Sequence, residues 1–251
     1  MSVFPGVFFT GTDTGVGKTF VMAALAAAFR AEGLNIGVWK PVQSGGQIGS
    51  GETDAERLIE TSGVIEMPEA VAPYSFNEPL TPFLAARHEG INLALKEIYE
   101  SAEPLAKRYK ALFVEGAGGV AVPLTEDALM IDLISELRIP VIIVARSGLG
   151  TINHTLLTAS FLRQRKIPII GVIMNDGNLR NLHEDPSLVA NADLIARYGG
   201  LEILGHFPAM SGKLDTEALI RTVLTKIQLT PIRKAILSRN FENGGIGDDG
   251  K

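Results

Sequence analysis

The sequence contains no cysteine, and that absence removes a disulfide framework, a thiolate metal site and a cysteine nucleophile together. A chain without cysteine suits a reducing compartment, so the expected location is cytoplasmic. Aromatic residues make up only 6% of the chain against 46% for all apolar types. Its core must therefore be built from Ala, Val, Ile and Leu, which suits helices laid on a buried sheet. No segment reaches about 18 uninterrupted apolar residues, and residues 1–9 lack a basic region followed by an apolar one, so no membrane association is expected. Blocks of Lys or Arg are missing too, and the formal net charge is −5. Nucleic acid is accordingly not expected as a partner.

What is present is an alternation of two patterns. Short runs rich in β-branched or aromatic residues at 7–10, 36–40, 111–115, 140–145 and 169–175 read as buried parallel strands, with a shorter one at 202–205. Helical spacing occupies 18–31, 54–61, 82–88, 94–109, 130–137, 153–165, 188–198 and 215–229. That order predicts an α/β fold, a doubly wound and mostly parallel sheet flanked by helices, and GTDTGVGKT at 11–19, between a strand and a helix, makes the expected architecture that of a P-loop NTPase. At 251 residues the chain suits one domain over 1–230 and an extension over 231–251, because single cores stop growing at about 250–300 residues. Residues 240–251 are rich in Gly, Asn and Asp and are expected to be disordered.

The chemistry concentrates at Gly11-Thr12-Asp13-Thr14-Gly15-Val16-Gly17-Lys18-Thr19, which follows a strand and opens a helix. Glycines let the backbone turn its N–H groups around a phosphate while the helix directs its positive end at the same anion. Lys18 then reaches the β- and γ-phosphates of ATP, and Thr19 offers its hydroxyl to Mg²⁺. The first glycine lies one residue further from Gly17 than the usual P-loop spacing, so the loop is a longer variant.

A P-loop also needs acids to hold its metal, and Glu115 at the end of a strand is the best placed, followed by Gly116, Gly118 and Gly119. Asp54 reads equally as an N-cap or as a second metal acid. Lys40 reads as a solvated lysine or, with Pro41 and Gly45 nearby, as part of a ligand-facing loop. Gly150, Thr151 and Asn153 open a helix after a strand. Their amides could hold a carboxylate, or Thr151 or Asn153 could be an ordinary cap, and His154 reads as structural. Asn175 could bond an adenine edge or simply end its strand.

Taken in order, GTDTGVGKT (11–19), KPVQSG (40–45), the Asp54 helix start, NEPLTP (77–82), EGAGG (115–119), LGTINHTLLT (149–158) and GVIMND (171–176) closely resemble the dethiobiotin synthetases across most of the chain. The resemblance implies an ATP-dependent cyclo-ligase of biotin synthesis. Its substrates would be 7,8-diaminononanoate and CO₂, and ring closure would release ADP and phosphate. It implies that Thr19, Asp54 and Glu115 hold Mg²⁺, that Lys18 and Lys40 carry catalytic charge, and that Thr14 and Ser44 lie beside the diamine or its carbamate. Gly119 would be near the substrate. The nucleotide set would comprise Gly15, Val16, Gly17, Lys18, Thr19, Phe20, Gly116 and Gly118, with Asn175 and the region of Pro208 at the adenine. It further implies a homodimer in which Gly150, Thr151 and Asn153 reach the substrate carboxylate across the interface. Gly15 departs from members that carry an acidic residue there.

Rival classes leave their own marks. A partitioning-type ATPase switch would need a lysine five residues before Lys18, where this chain has Asp13. An amidating ligase related to the cobyrinate diamide synthases would need a glutaminase cysteine, and there is none. A catalytically silent relative would have lost some of the polar residues named above.

Overall fold

The computed structural model describes residues 4–177, 187–210 and 215–237. Its main sheet holds strands β1 (Gly6–Gly11), β2 (Ile36–Trp39), β5 (Ala111–Gly119), β6 (Val141–Arg146), β7 (Ile169–Asn175) and β8 (Ile203–Phe207). Their order is β2-β5-β1-β6-β7-β8, and every pairing within it is parallel. The chain leaves β1 towards one edge and later returns to its other side, so the carboxyl end of β1 is a topological switch point, where such sheets bind ligands.

Side chains alternate between two cores because successive strand residues point to opposite faces. Val7 and Phe9, Ile36 and Val38, and Ala111 and Phe113 face one core, which they share with α1 (Lys18–Ala31), α2 (Asp54–Ser62), α10 (Thr216–Lys226) and α11 (Leu229–Leu237). The opposite core takes Phe8, Trp39, Leu112 and Val114 with α4 (Pro82–His88), α5 (Leu95–Glu100), α6 (Glu103–Arg108), α7 (Met130–Leu137), α8 (Thr151–Gln164) and α9 (Ser187–Gly199). The alanine-rich α1 is buried along most of its length. Alanine suits that place, combining the best helix propensity with a small side chain that lets neighbouring helices approach.

Several elements differ from the sequence expectation. The helix anticipated at 94–109 is two, α5 and α6, because Pro104 sits in the first turn of α6 and has no N–H to continue the earlier helix. Helix α8 begins at Thr151, two residues before the expected start. The pattern at 215–229 ends as α10 at Lys226, and α11 follows, burying Ile232 and Ile236 in the α1 core. That helix crosses residue 230, where the sequence boundary was drawn. Three short elements had no strong signal: α3 (Pro68–Val71) and the parallel pair β3 (Val42–Ser44) with β4 (Tyr74–Phe76). The stretch 240–251 lies outside the described residues. Among the described residues no helix is long and apolar enough to cross a membrane.

Candidate active site

Strand β1 delivers the chain to a tight loop whose glycines are sterically required. A side-chain carbon on Gly11 would meet Asp13 O at 2.7 Å, Lys18 Nζ at 2.9 Å and Val16 Cγ2 at 2.9 Å. Gly17 has a φ of 86° and caps α1 with no side-chain hydrogen bond. Any β-carbon there would also lie 2.0 Å from Asn175 Nδ2. The backbone amides that open α1 are therefore left for an anion. Lys18 curls back over the loop and donates to Asp13 O at 3.4 Å.

Sheet alternation brings the second half of the site to the same place. Lys40 follows Val38 on the α1 side of β2, and Glu115 follows Phe113 on the α1 side of β5, just before that strand's register shifts. Helix α2 brings Asp54 from the same side. Its N-cap is Thr53, whose side chain and Glu56 close a capping box, so Asp54 is the first helical residue and its carboxylate is free for the cluster. Lys40 Nζ donates to Asp54 Oδ2 at 2.7 Å and to Glu115 Oε1 at 2.8 Å. Thr19 Oγ1 lies 3.1 Å from Asp54 Oδ1 and 2.8 Å from Glu115 Oε1. Gln43 braces this arrangement, accepting from Ala55 N at 2.9 Å and donating to Ser75 Oγ at 2.8 Å.

Burial sets the protonation of these groups. It lowers Lys18 to about 8, with repulsion from Lys40 adding to the effect. It also raises Glu115 above the usual carboxylate range, against the pull of Lys40. Burial opposes the charge on Lys40 as well, but Glu115 and Asp54 outweigh it and hold the ammonium above its ordinary value. Asp54 is more open, and Lys40 overcomes its partial burial to hold it low. Glu115, Asp54 and Asp13 pull the other way without restoring the ordinary value, and a triphosphate would add further negative charge beside Lys18. Glu115 Oε2 is buried with no protein partner. With Thr19 Oγ1 and Asp54 it forms a set of hard oxygen donors of the kind Mg²⁺ prefers. Among the described residues no group of three or more His, Cys, Asp or Glu could make an all-protein cage. A cation that shares its shell with phosphate oxygens and water fits better.

One cavity of about 940 Å³ opens over this cluster. It is lined by Thr14, Gly15, Gly17, Lys18, Thr19, Phe20, Lys40, Ser44, Asp54, Glu115 and Gly118, all named from the sequence. A family model described as an AAA domain matches residues 5–216. Over 231 residues the chain is 41% identical to a protein of Bacillus cereus named ATP-dependent dethiobiotin synthetase BioD, covering 92% of this chain and 94% of that one. A protein of the same name from Anaeromyxobacter dehalogenans is 49% identical over 203 residues, 81% of this chain and 89% of that one. The chain belongs to the dethiobiotin synthetase family.

Solved structures with the same fold include the MinC:MinD cell division complex of Aquifex aeolicus, with a TM-score of 0.56 at 16% identity, covering 96% of this chain and 100% of that one. A ParA family ATPase from Chlorobium tepidum has a TM-score of 0.52, also at 16% identity, covering 93% and 94%. At that distance only the architecture is shared. In this dethiobiotin synthetase relative, some residues named from the sequence lie outside the cavity lining. Val16 packs into the core, and its carbonyl accepts from Asn175 Nδ2 at 2.8 Å. Asn175 thus braces the loop from behind, and its Oδ1 accepts from Gly177 N at 3.3 Å. Gly116 packs on Phe8, Gly119 lies against Gly11 O, and Pro208 follows Phe207, whose ring meets Phe20 edge-on.

Gly150, Thr151 and Asn153 form the start of α8, away from the cavity lining. Neither Thr151 nor Asn153 is the cap: Gly150 is, at a φ of 90° and with no side-chain bond. Thr151 is buried inside the first turn, whereas Asn153 faces solvent. His154 Nδ1 is 3.3 Å from Arg146 Nη2. The cavity also uses residues with no role assigned from the sequence, among them Arg57, Pro79, Leu80, Thr81 and Val122. Pro79, Leu80 and Thr81 belong to the NEPLTP segment, so position in a motif was the available signal.

Proposed function

We propose that the chain carboxylates 7,8-diaminononanoate with CO₂ and closes the product to the cyclic urea dethiobiotin, using ATP and Mg²⁺. One amine adds to CO₂ and loses a proton, giving a carbamate. A carbamate oxygen attacks the γ-phosphorus and ADP leaves, giving a carbamic-phosphoric anhydride. The second amine attacks the carbonyl carbon, and the carbon–oxygen bond to phosphate breaks.

The observation that carries this reading is the junction of Lys40, Thr19, Asp54 and Glu115 at the mouth of a P-loop, within one cavity. Membership of the dethiobiotin synthetase family supplies the reaction class. Lys18 draws charge on the β- and γ-phosphates, and Lys40 offsets charge on carbamate and phosphate. Such charge neutralisation is the main catalytic resource in phosphoryl transfer. Thr19, Asp54 and Glu115 would hold Mg²⁺, which when bound offsets charge on the phosphate oxygens. The family resemblance would put Thr14, Ser44 and Gly119 on the diamine side and Asn175 with the Pro208 region on the adenine side; of these, Thr14 and Ser44 line the cavity.

The working unit is a homodimer in the cytoplasm, in which Gly150, Thr151 and Asn153 of one protomer take the substrate carboxylate of its partner. Support for this comes from the uncapped start of α8 and from Leu149 and Leu157, exposed at 81% and 62%. The deciding experiment incubates the purified protein with ATP, Mg²⁺, bicarbonate and the diamine, and seeks the cyclic urea by mass spectrometry. ATP hydrolysis indifferent to the diamine would favour the nucleotide-switch reading instead.

A further inference from the structure

Lys40 carries its charge in an uncommon place. Its side chain is 4% exposed, and lysine is almost never so buried unless it is paired. Its partners are the two carboxylates assigned above to a cation. The ammonium lies 2.7 Å from Asp54 Oδ2 and 2.8 Å from Glu115 Oε1, and Thr19 Oγ1 approaches the same two side chains. The backbone holds Lys40 there, since its N–H donates to Val71 O at 2.8 Å just past the end of β2.

Within the cluster the charges already cancel. Lys18 and Lys40 bring two positive charges, Asp54 and Glu115 two negative ones, and the two lysines are close enough to repel each other. The charge of a divalent cation arriving alone would stand uncompensated among mostly buried groups, where like charges are poorly screened. A cation that arrives with a triphosphate shares its shell with phosphate oxygens, and their negative charge offsets both the cation and the lysines.

We propose that Lys40 makes cation binding at Thr19, Asp54 and Glu115 conditional on nucleotide: its ammonium holds the two carboxylates against a lone divalent cation, and phosphate oxygens supply the negative charge that admits one. This deepens the reading of the site given above and rests on it, because that reading assigns these three residues to Mg²⁺. Lys40 is then a specificity device for the metal–nucleotide pair as well as a charge for the carbamate.

The test measures binding of Mn²⁺, a spectroscopic stand-in for Mg²⁺, by equilibrium dialysis against wild type, Lys40→Met and Lys40→Arg, each with and without a non-hydrolysable ATP analogue. Without nucleotide, Lys40→Met should bind the ion roughly tenfold more tightly than wild type, or better, since one neighbouring charge changes affinity for a proton by about 10- to 1000-fold. Lys40→Arg, which keeps the charge, should behave as wild type does. The analogue should strengthen binding sharply in wild type and far less in Lys40→Met. With its carboxylates unpaired, Lys40→Met should also melt below wild type, and Mg²⁺ without nucleotide should raise its melting temperature while leaving that of wild type unchanged. If Lys40→Met does not fold, Lys40→Gln carries the same comparison, because it keeps an N–H donor without the charge. Equal nucleotide-free affinity in wild type and the folded neutral variant would overturn the proposal. So would wild type binding Mn²⁺ as tightly without the analogue as with it. If no form of the protein binds Mn²⁺ even with the analogue, the assignment of Thr19, Asp54 and Glu115 to the cation fails, and the inference falls with it.

Discussion

Helices α1 and α8 begin alike and end up with different surroundings. Each has 14 residues, starts after a left-handed glycine and carries no side-chain cap. They leave β1 and β6, which are neighbours in the sheet. Helix α2 shows the other choice: Thr53 and Glu56 close its first turn, so its amides have protein partners. In front of α1 stand two lysines and two carboxylates from the same chain, most of them buried. Beside the start of α8 stands Arg146, 43% exposed, whose Nη2 lies 3.5 Å from where a β-carbon on Gly150 would be. An open helix start is thus complete within one chain in the first case. In the second it awaits whatever covers it, which is the proposed role of the partner subunit and its substrate.

The largest effect expected on the α1 side comes from Lys40→Met. Removing one member of a buried ion cluster leaves carboxylates unpaired and costs about 3–5 kcal/mol of stability. Turnover should fall by roughly 10²–10³, the usual effect of deleting a preorganised charge, with ATP binding by calorimetry retained. Near-normal formation of the cyclic urea would remove Lys40 from the chemistry. Next comes Glu115→Gln, which exchanges a charged oxygen ligand for a neutral one. Its Mg²⁺ half-saturation should rise roughly tenfold, as expected for a charge-assisted contact worth about 1.5–3 kcal/mol. A superimposable magnesium titration would break the link between this strand end and the metal.

How legible each helix start was depends on how local its determinants are. The P-loop is nine consecutive residues between a strand and a helix, and its glycines state their own requirement. The meeting of Lys40 with Glu115, 75 residues apart, needs the strand order β2-β5-β1 before alternation can place both on the α1 face. Asp54 stayed undecided because cap and ligand roles look the same until Thr53 is seen to be the cap. The pair β3 and β4 escaped notice because each has three residues and their partnership is nonlocal. The split of 94–109 was legible in Pro104, and the helical periodicity on either side outvoted it. For α8 the sequence offered Thr151 and Asn153 as caps, and only backbone geometry reveals that Gly150 takes that position.

That α8 start can be probed from the ligand side. If its amides take the substrate carboxylate, a diamine ending in a methyl group should show a several-fold higher KM, since a charge at a helix N-terminus is worth about 0.3–2 kcal/mol. In Gly150→Ala, the left-handed backbone at a φ of 90° is strained by about 1–2 kcal/mol, and the two diamines should then differ less. Equal KM values for both diamines in the wild-type protein would separate α8 from substrate binding.

The smallest effect concerns the closed helix. Thr53→Ala removes one capping bond from α2 and should lower stability by about 1 kcal/mol in urea unfolding. Activity should hardly change, because Lys40 and Thr19 still grip Asp54 from the cluster side. A loss of turnover far beyond the loss of stability would mean that the cap, and not the ion cluster, sets the position of Asp54. The three helices would then differ less than their first turns suggest, since a side-chain cap would be serving the same cation site that the open start of α1 faces.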